Sequence, residues 1–386
     1  MILTPESQRL HIVLTGNRNS GKSSLLNAIA GQQASIVSDT PGTTTDRVGK
    51  PMEIMGLGPC ILVDTAGLDD CGELGLKRVQ GSIDALKSAD IILAVMDAGT
   101  GAIPVLPQIS VPVLPVINKA DLSSPAGLEA FSAEVKERFG RDATAVSATG
   151  RKGIDELIQA IREAIPQDWD APMLTAGLLR DGDLAVLVMP QDRQAPKGRL
   201  ILPQQQTIRE LLDRKCRVVC CDADTLGSTL GSLKETPAAI IADSQVMDRV
   251  KALTPQGTAL TSFSILLAAA KGDIEYFKES AKAIDSLGAG SRVLIAEACT
   301  HAPASEDIGR VQIPRLLRSR AGSSLEVDVV SGRDFPEDLG GYDLVIHCGA
   351  CMFNRHYVLA RVQQAKAQGI PMTNYGITIA YIKNLL

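Results

Sequence analysis

Aromatic side chains are scarce in this chain. Phe, Tyr and Trp together make up 3% of its 386 residues, with a single Trp. So few flat faces leave little on which successive bases could stack, the main device of single-strand nucleic-acid binders. Excess positive charge is missing too: 39 Lys and Arg stand against 44 Asp and Glu, a net charge of −5. A surface of that sign attracts neither a phosphate backbone nor an anionic bilayer, so no nucleic-acid and no membrane partner is expected. Long hydrophobic runs are absent. The most apolar stretch, Ile265 to Ala270, falls far short of the roughly 20 residues that span a bilayer. Met1-Ile2-Leu3-Thr4-Pro5-Glu6 carries no basic region followed by an apolar core, so no signal peptide is expected. With no secretory leader, the eight cysteines suggest free thiols in a reducing cytoplasm rather than a disulfide framework.

What remains is an ordinary globular composition, 45% hydrophobic and 22% charged, in a chain long enough for two or three domains. Leu10 to Leu14 is a short apolar run, a buried strand by pattern. It leads into Gly16-Asn17-Arg18-Asn19-Ser20-Gly21-Lys22-Ser23, the G-x-x-x-x-G-K-[ST] phosphate loop. Its glycines let backbone N–H groups curl around phosphate, Lys22 adds a point charge, and Ser23 is placed to ligate Mg²⁺. The helix that opens at Ser24 points its positive end at the same place. Ile61-Leu62-Val63 is a strand ending at Asp64-Thr65-Ala66-Gly67. Asp64 is placed to hold Mg²⁺ through water, and the Gly67 N–H to touch the γ-phosphate. Val113 to Ile117 ends at Asn118-Lys119-Ala120-Asp121. A carboxylate at Asp121 accepts both N1–H and the 2-amino group of guanine. Adenine offers neither donor, so the motif selects GTP. Ser147-Ala148 follows a further apolar stretch and would back the guanine O6 with a backbone N–H. Motifs that each follow a strand, at one end of a sheet, are the arrangement of a doubly wound α/β fold.

These motifs resemble the Era/TrmE-like branch of small GTPases. Pro41-Gly42-Thr43-Thr44-Thr45-Asp46 is similar to that branch's first switch, which makes Thr44 a Mg²⁺ ligand. The resemblance implies that Asn19 coordinates K⁺ beside the phosphates. Leu68 stands where Ras-like proteins place a water-orienting Gln, and Leu cannot polarise water, so hydrolysis should be slow or use another device. Lys22, Thr44, Asp64 and Gly67 are the expected catalytic residues.

Pro166 to Pro172 breaks the pattern after a closing helix over Gly153 to Ala164. Strands then alternate with amphipathic stretches: strands at Leu184 to Val188, Val218 to Cys221 and Ala238 to Ala242, helices at Thr207 to Lys215 and Ser244 to Leu253. That alternation predicts a small parallel sheet, with self-association as its role. Cys216, Cys220 and Cys221 read as small buried hydrophobes. A helix is expected over Asp273 to Leu287 and strands at Val293 to Ala296, Leu325 to Val330 and Leu344 to Ile346.

Histidine is rare, four in all, yet three fall in the last third. Cys299-Thr300-His301 follows one strand and His347-Cys348-Gly349-Ala350-Cys351 another. Thiolates and imidazoles suit zinc or iron–sulfur and are poor ligands for magnesium or calcium. If the two strands run parallel, both groups emerge at one sheet edge and can meet. Cys351 would open a helix over Phe353 to Gln368, whose N–H groups favour thiolate. His301 or His347 would supply a fourth, exchangeable donor, and His356 reads as a helix-face residue. On spacing alone zinc and a 4Fe-4S cluster stay open.

C-x-H, a gap over 302–346, then H-C-x-x-C, behind an Era-like unit, resembles the FeFe-hydrogenase maturation GTPases. Arg9-Leu10-His11-Ile12, the phosphate loop, the switch and Thr373-Asn374-Tyr375-Gly376 are similar as well. The resemblance implies a P-loop GTPase domain over 1–168 followed by two smaller parallel-sheet α/β domains, one for dimerisation over 172–268 and one for cluster binding over 269–386. It implies a 4Fe-4S cluster on Cys299, Cys348 and Cys351. It further implies a scaffold that receives a di-iron precursor made with two radical-SAM maturases and delivers it to apo FeFe-hydrogenase. A zinc-stabilised regulatory GTPase and an RNA-associated GTPase are the rival readings.

Overall fold

Leu10–Thr15 forms β1, buried along its whole length, as an apolar run covered on both faces should be. It lies at the centre of a seven-stranded sheet. The computed structural model describes residues 5–36, 49–69, 73–107, 109–165, 169, 173–189, 200–298, 308–332, 334–351 and 353–385. It divides into two compact units, Met1–Asp170 and Ala171–Leu386.

In the first unit β1 is followed by α1 (Lys22–Gln33), β2 (Ala34–Ile36), β3 (Lys50–Ile54), β4 (Gly58–Asp64), α2 (Glu73–Lys87), β5 (Ile91–Asp97), β6 (Val113–Asn118), α3 (Pro125–Phe139), β7 (Thr144–Ala145) and α4 (Ile154–Ala164). The strand order is β2-β3-β4-β1-β5-β6-β7. The sheet is mixed: β3 runs antiparallel to both β2 and β4, and the other pairings are parallel. The loops after β1, β4 and β6 therefore leave the same edge, and these are the loops that carry the phosphate, Asp64 and Asn118 motifs. Local chemistry sets the helix ends. Ser124 accepts the Gly127 N–H in front of Pro125 at the start of α3, and Gly140 ends it in the left-handed region.

The second unit holds two four-stranded, all-parallel sheets. The first contains β8 (Leu184–Val188), α5 (Leu202–Asp213), β9 (Arg217–Cys221), α6 (Leu226–Ser232), β10 (Ala239–Ala242), α7 (Met247–Leu253), β11 (Ala259–Ser262) and α8 (Phe263–Lys271), in the strand order β11-β10-β8-β9. The second contains α9 (Ile274–Ala281), β12 (Arg292–Glu297), α10 (Ile313–Ala321), β13 (Glu326–Ser331), β14 (Leu344–His347), α11 (Arg355–Ala367), β15 (Met372–Asn374) and α12 (Tyr375–Ile382), in the order β13-β12-β14-β15. One helix binds the two halves together: α8 packs on α5 from the first and on α11 and α12 from the second. The α/β class and the two parallel sheets agree with the sequence pattern.

Several boundaries differ from the pattern, each for a local reason. The helix expected over Asp273 to Leu287 ends at Ala281 and tightens into a 3₁₀ turn over Lys282–Ser286. Asp273 is its cap, accepting the Tyr276 N–H. The helix expected at Phe353 begins only at Arg355, because the Asn354 side chain accepts the Tyr357 N–H at 3.2 Å. Cys351 thus lies in a turn and not on a helix start. Cys216 is buried as expected, but on the edge strand β9 Cys220 is exposed and Cys221 only half-buried.

Leu294, in the middle of β12, is fully buried. Leu294→Ala is expected to destabilise the second unit by about 2–5 kcal/mol. The urea midpoint followed by circular dichroism should fall while nucleotide binding by the first unit persists; an unchanged midpoint would take Leu294 out of the core.

Candidate nucleotide site and candidate metal centre

The phosphate loop is tight because its neighbours are close. Gly16 has φ +147°, and a Cβ there would lie 2.1 Å from the Val95 carbonyl oxygen, so only glycine fits. Lys22 is buried at the first turn of α1, and its ammonium donates to the carbonyls of Gly16 at 3.1 Å and Asn17 at 2.8 Å. Ser23 Oγ donates to Asp64 Oδ2. Asp64 Oδ1 and Ser20 Oγ are buried without a hydrogen-bond partner. An unsatisfied carboxylate oxygen beside a serine hydroxyl is the donor set a hydrated Mg²⁺ takes, so these residues fit the ion. Ser24 stands exposed on the next position of the helix.

Asn118 ties three loops together. Its amide donates to Ser20 O at 3.0 Å, and its Oδ1 accepts the Ala148 N–H at 3.1 Å. Lys119 takes a left-handed conformation, φ +59°. Its ammonium reaches Asn19 O at 2.9 Å and Asp97 Oδ2 at 2.6 Å. Burial works to raise the Asp97 carboxyl, but Lys119 and the Gly99 N–H outweigh it and hold it below the usual carboxylate range. Asn19 itself has φ +62°, which turns its carbonyl to Lys119. Asp121 is exposed, in the 3₁₀ turn Ala120–Leu122, and Ser147 is buried with its Oγ accepting the Gly150 N–H. Gly67 lies against the phosphate loop: a Cβ there would lie 2.8 Å from the Arg18 nitrogen. The Arg18 N–H donates to Asp69 Oδ1 at 2.6 Å, a contact the motifs did not single out. Thr44 lies outside the described residues.

In the last sheet β12 and β14 are direct parallel neighbours, with Ala296 opposite His347. Both strands therefore end at one edge, where Cys348 N donates to Ala296 O. The Cys348 sulfur accepts the N–H of Ala298 at 3.0 Å and of Ala350 at 3.4 Å. Burial pushes the Cys348 thiol up, and those two N–H groups and the Arg361 charge pull it back. Ala350 takes φ +46° to aim its N–H inward, and Cys351 is half-buried in the same turn. Cys299 and His301 lie outside the described residues, and among those described no three His, Cys, Asp or Glu side chains gather as a metal set.

His347 has both ring nitrogens engaged within the protein. It is fully buried, with Nδ1 2.7 Å from Cys348 O and Nε2 2.9 Å from an Arg361 nitrogen. The carbonyl can only accept, so Nδ1 carries the proton and Nε2 accepts from Arg361. Burial first, and then the Arg361 charge, push its pKa down to about 3, so the ring stays neutral. Both ring nitrogens are thus taken. His356 is half-buried on α11. Three residues hold this loop, of which only Asn374 stood in a motif, with no role assigned to it. Asn374 Nδ2 donates to Cys348 O at 3.3 Å, Lys271 donates to three of the loop's carbonyls, and Arg361 anchors His347. Lys271 ends an apolar helix and Arg361 sits on the inner side of α11; a charge at a core position was the only signal available.

Phosphate loop, Asp64, Asn118 and Ala148 on one edge of a parallel-dominated sheet define a P-loop GTPase unit, here continued by two further α/β sheets. Residues 11–119 match the family described as "50S ribosome-binding GTPase". Residues 174–272 match "Hydrogen maturase F dimerization domain", and 275–386 match "Hydrogen maturase F tetramerization domain". These two together take in more than half of the chain, which belongs to the hydrogen maturase F family. Both descriptions are of self-association domains. The chain is 41% identical over 160 residues to the tRNA modification GTPase MnmE of Methylobacterium radiotolerans, covering 40% of this chain and 32% of that one. It is 37% identical over 158 residues to MnmE of Burkholderia thailandensis, covering 38% and 33%. The chain thus spans about a third of the length of these curated relatives. Among solved structures, Aquifex aeolicus Era bound to GDP·AlF4⁻ aligns at 20% identity and TM-score 0.36, over 58% of this chain and 98% of that one. The FeoB G-domain from Methanococcus jannaschii aligns at 21% and 0.31, over 41% and 98%. No helix among the described residues is long and apolar enough to cross a membrane.

Asp121→Asn is expected to weaken GTP binding about 10- to 100-fold, the worth of a charge-assisted hydrogen bond. Xanthine carries a carbonyl where guanine has its amino group, so the new amide should favour xanthosine triphosphate. Titration with fluorescent nucleotides reads both, and unchanged GTP affinity would remove Asp121 from base recognition.

Proposed function

We propose that this chain is a GTP-hydrolysing scaffold that holds a 4Fe-4S cluster on Cys299, Cys348 and Cys351, assembles a di-iron precursor and delivers it to apo FeFe-hydrogenase. Its family membership supports the maturation role. One observation carries the cluster reading: the Cys348 sulfur accepts the N–H of Ala298 across two parallel strands, and Cys299 is the next residue of the chain. Two N–H···S bonds and neighbouring buried cations fit an anionic thiolate-ligated group. When bound, the cluster would supply an open iron position as the attachment point for cargo. His347 is assigned to holding the Cys348 carbonyl, which leaves His301 as the histidine offered for an exchangeable fourth position.

On this reading the chain carries three domains, 1–168, 172–268 and 269–386, self-associates as a dimer, works in the cytoplasm and receives its cargo with two radical-SAM maturases. GTP with Mg²⁺ is bound by the phosphate loop, with Ser23 and Thr44 as ion ligands and Asn19 placing K⁺. Leu68 offers no polar atom to orient water, so hydrolysis is slow and draws on that K⁺. Nucleotide state then biases contacts through the switch residues Thr44 and Gly67.

Hydrolysis is expected to run faster in K⁺ than in Na⁺, measured as phosphate release; equal rates in both salts would remove the K⁺ site. Anaerobic iron and sulfide analysis with EPR of the reduced protein is expected to report a 4Fe-4S signal, lost in Cys299→Ser, Cys348→Ser or Cys351→Ser. The same three variants, co-expressed with the radical-SAM partners, should fail to activate purified apo-hydrogenase. Stoichiometric zinc with no cluster signal would instead identify a structural metal.

A further inference from the structure

Two cations are buried at the segment carrying Cys348 and Cys351, and neither belongs to the ligand set. Lys271 is 7% exposed and Arg361 is 5% exposed. The Lys271 ammonium donates to the carbonyl oxygens of Ala350 at 2.8 Å, Cys351 at 3.2 Å and Phe353 at 2.7 Å. Arg361 donates to His347 Nε2 at 2.9 Å, to Gly332 O at 2.6 Å and to the Tyr357 hydroxyl. Its guanidinium also lies over the rings of Tyr357 and Phe335, 4.4 and 4.6 Å from their centroids. Among the described residues, no carboxylate is a partner of Arg361. Carbonyls, ring faces and a neutral imidazole soften a charge but do not cancel it. Arg stays protonated under all ordinary conditions, so a buried guanidinium without a counter-ion is strongly unfavourable.

The geometry points to Arg361 and Lys271 as charge-balancing residues: they hold the Cys348–Cys351 loop for a net-anionic occupant and set how readily a bound cluster accepts an electron. This rests on the reading that these cysteines ligate an iron–sulfur cluster. Both are positioning residues, since Lys271 acts through the loop carbonyls and Arg361 through His347. Cluster potential follows net charge and the hydrogen bonds to the sulfurs. A nearby buried cation favours the more negative, reduced state, and its loss favours the oxidised one.

The test is an EPR-monitored potentiometric titration of the reconstituted full-length protein, with dithionite as reductant. Wild type is compared with Arg361→Gln, Arg361→Lys, Lys271→Gln and Lys271→Arg, with iron and sulfide counted and folding checked by circular dichroism. The Gln variants are expected to hold iron and to be about tenfold harder to reduce at fixed potential, about 59 mV for one electron. The Lys and Arg variants should stay near wild type. Folded Gln variants that lose iron where their charge-keeping counterparts retain it would also support the assignment. Gln variants loaded as wild type, with the same midpoint, would overturn it. If Arg361→Gln does not fold, Lys271→Gln decides in the same way. Wild type that takes up no iron overturns the cluster reading itself, before any variant is compared.

Discussion

The second unit depends on one pairing, that of β12 with β14. Parallel neighbours end on the same side, so whatever follows each strand meets at one edge. Had β13 been inserted between them, the two segments would stand a strand further apart, about 5 Å per strand. The register Ala296 to His347 goes further: it places the Ala298 N–H on the Cys348 sulfur. Everything around that sulfur is then consequence. The left-handed Ala350 turns a second N–H inward, and Asn374, at the end of the next strand over, takes hold of the Cys348 carbonyl.

His347 shows how burial changes a residue's options. A histidine beside two cysteines reads as a metal donor when only spacing is visible. Packed between α11 and its own sheet it has no solvent, and a carbonyl and a guanidinium claim its two nitrogens. An imidazole so held cannot swing out without stranding Arg361 in the core. Its visible contribution is to fix the peptide that carries Cys348.

The parts of this molecule legible in the sequence are those written in consecutive residues. The phosphate loop, Asp64-Thr65-Ala66-Gly67 and Asn118-Lys119-Ala120-Asp121 are each a short string whose chemistry is local, and the strands before them are plain apolar runs. The class followed from motifs placed after strands and the middle parallel sheet from alternation, while the second parallel sheet was expected from the family resemblance. What was not legible depends on distance along the chain. Lys271 reaches carbonyls some 80 residues away, and Asn118 bonds the phosphate loop 98 residues away. The helix start misread at Phe353 comes from the Asn354 cap, which competes with the backbone there, whereas the helix begun at Asp273 was misread at its far end, where it tightens into the 3₁₀ turn Lys282–Ser286.

The two loops of interest answer one physical problem in two ways. Each has to offer positive potential to an anion without leaving polar groups stranded in the core. The phosphate loop uses backbone N–H groups, a helix start and Lys22, whose ammonium rests on the Gly16 and Asn17 carbonyls from which it can be redirected. The cysteine loop has no helix start at Cys351, because α11 opens only after Asn354. The N–H groups of Ala298 and Ala350 take over part of that task, and the full charges of Lys271 and Arg361 supply the rest from beneath. The difference suits the occupants. A nucleotide must leave after hydrolysis, so partial charges and one movable lysine serve it. A thiolate-bound group of the kind proposed would stay, and fixed buried cations would cost nothing in release. On the proposed reading, a lysine at the end of an apolar helix and an arginine on the inner side of α11 share one explanation, the negative charge of a group held at the cysteine loop.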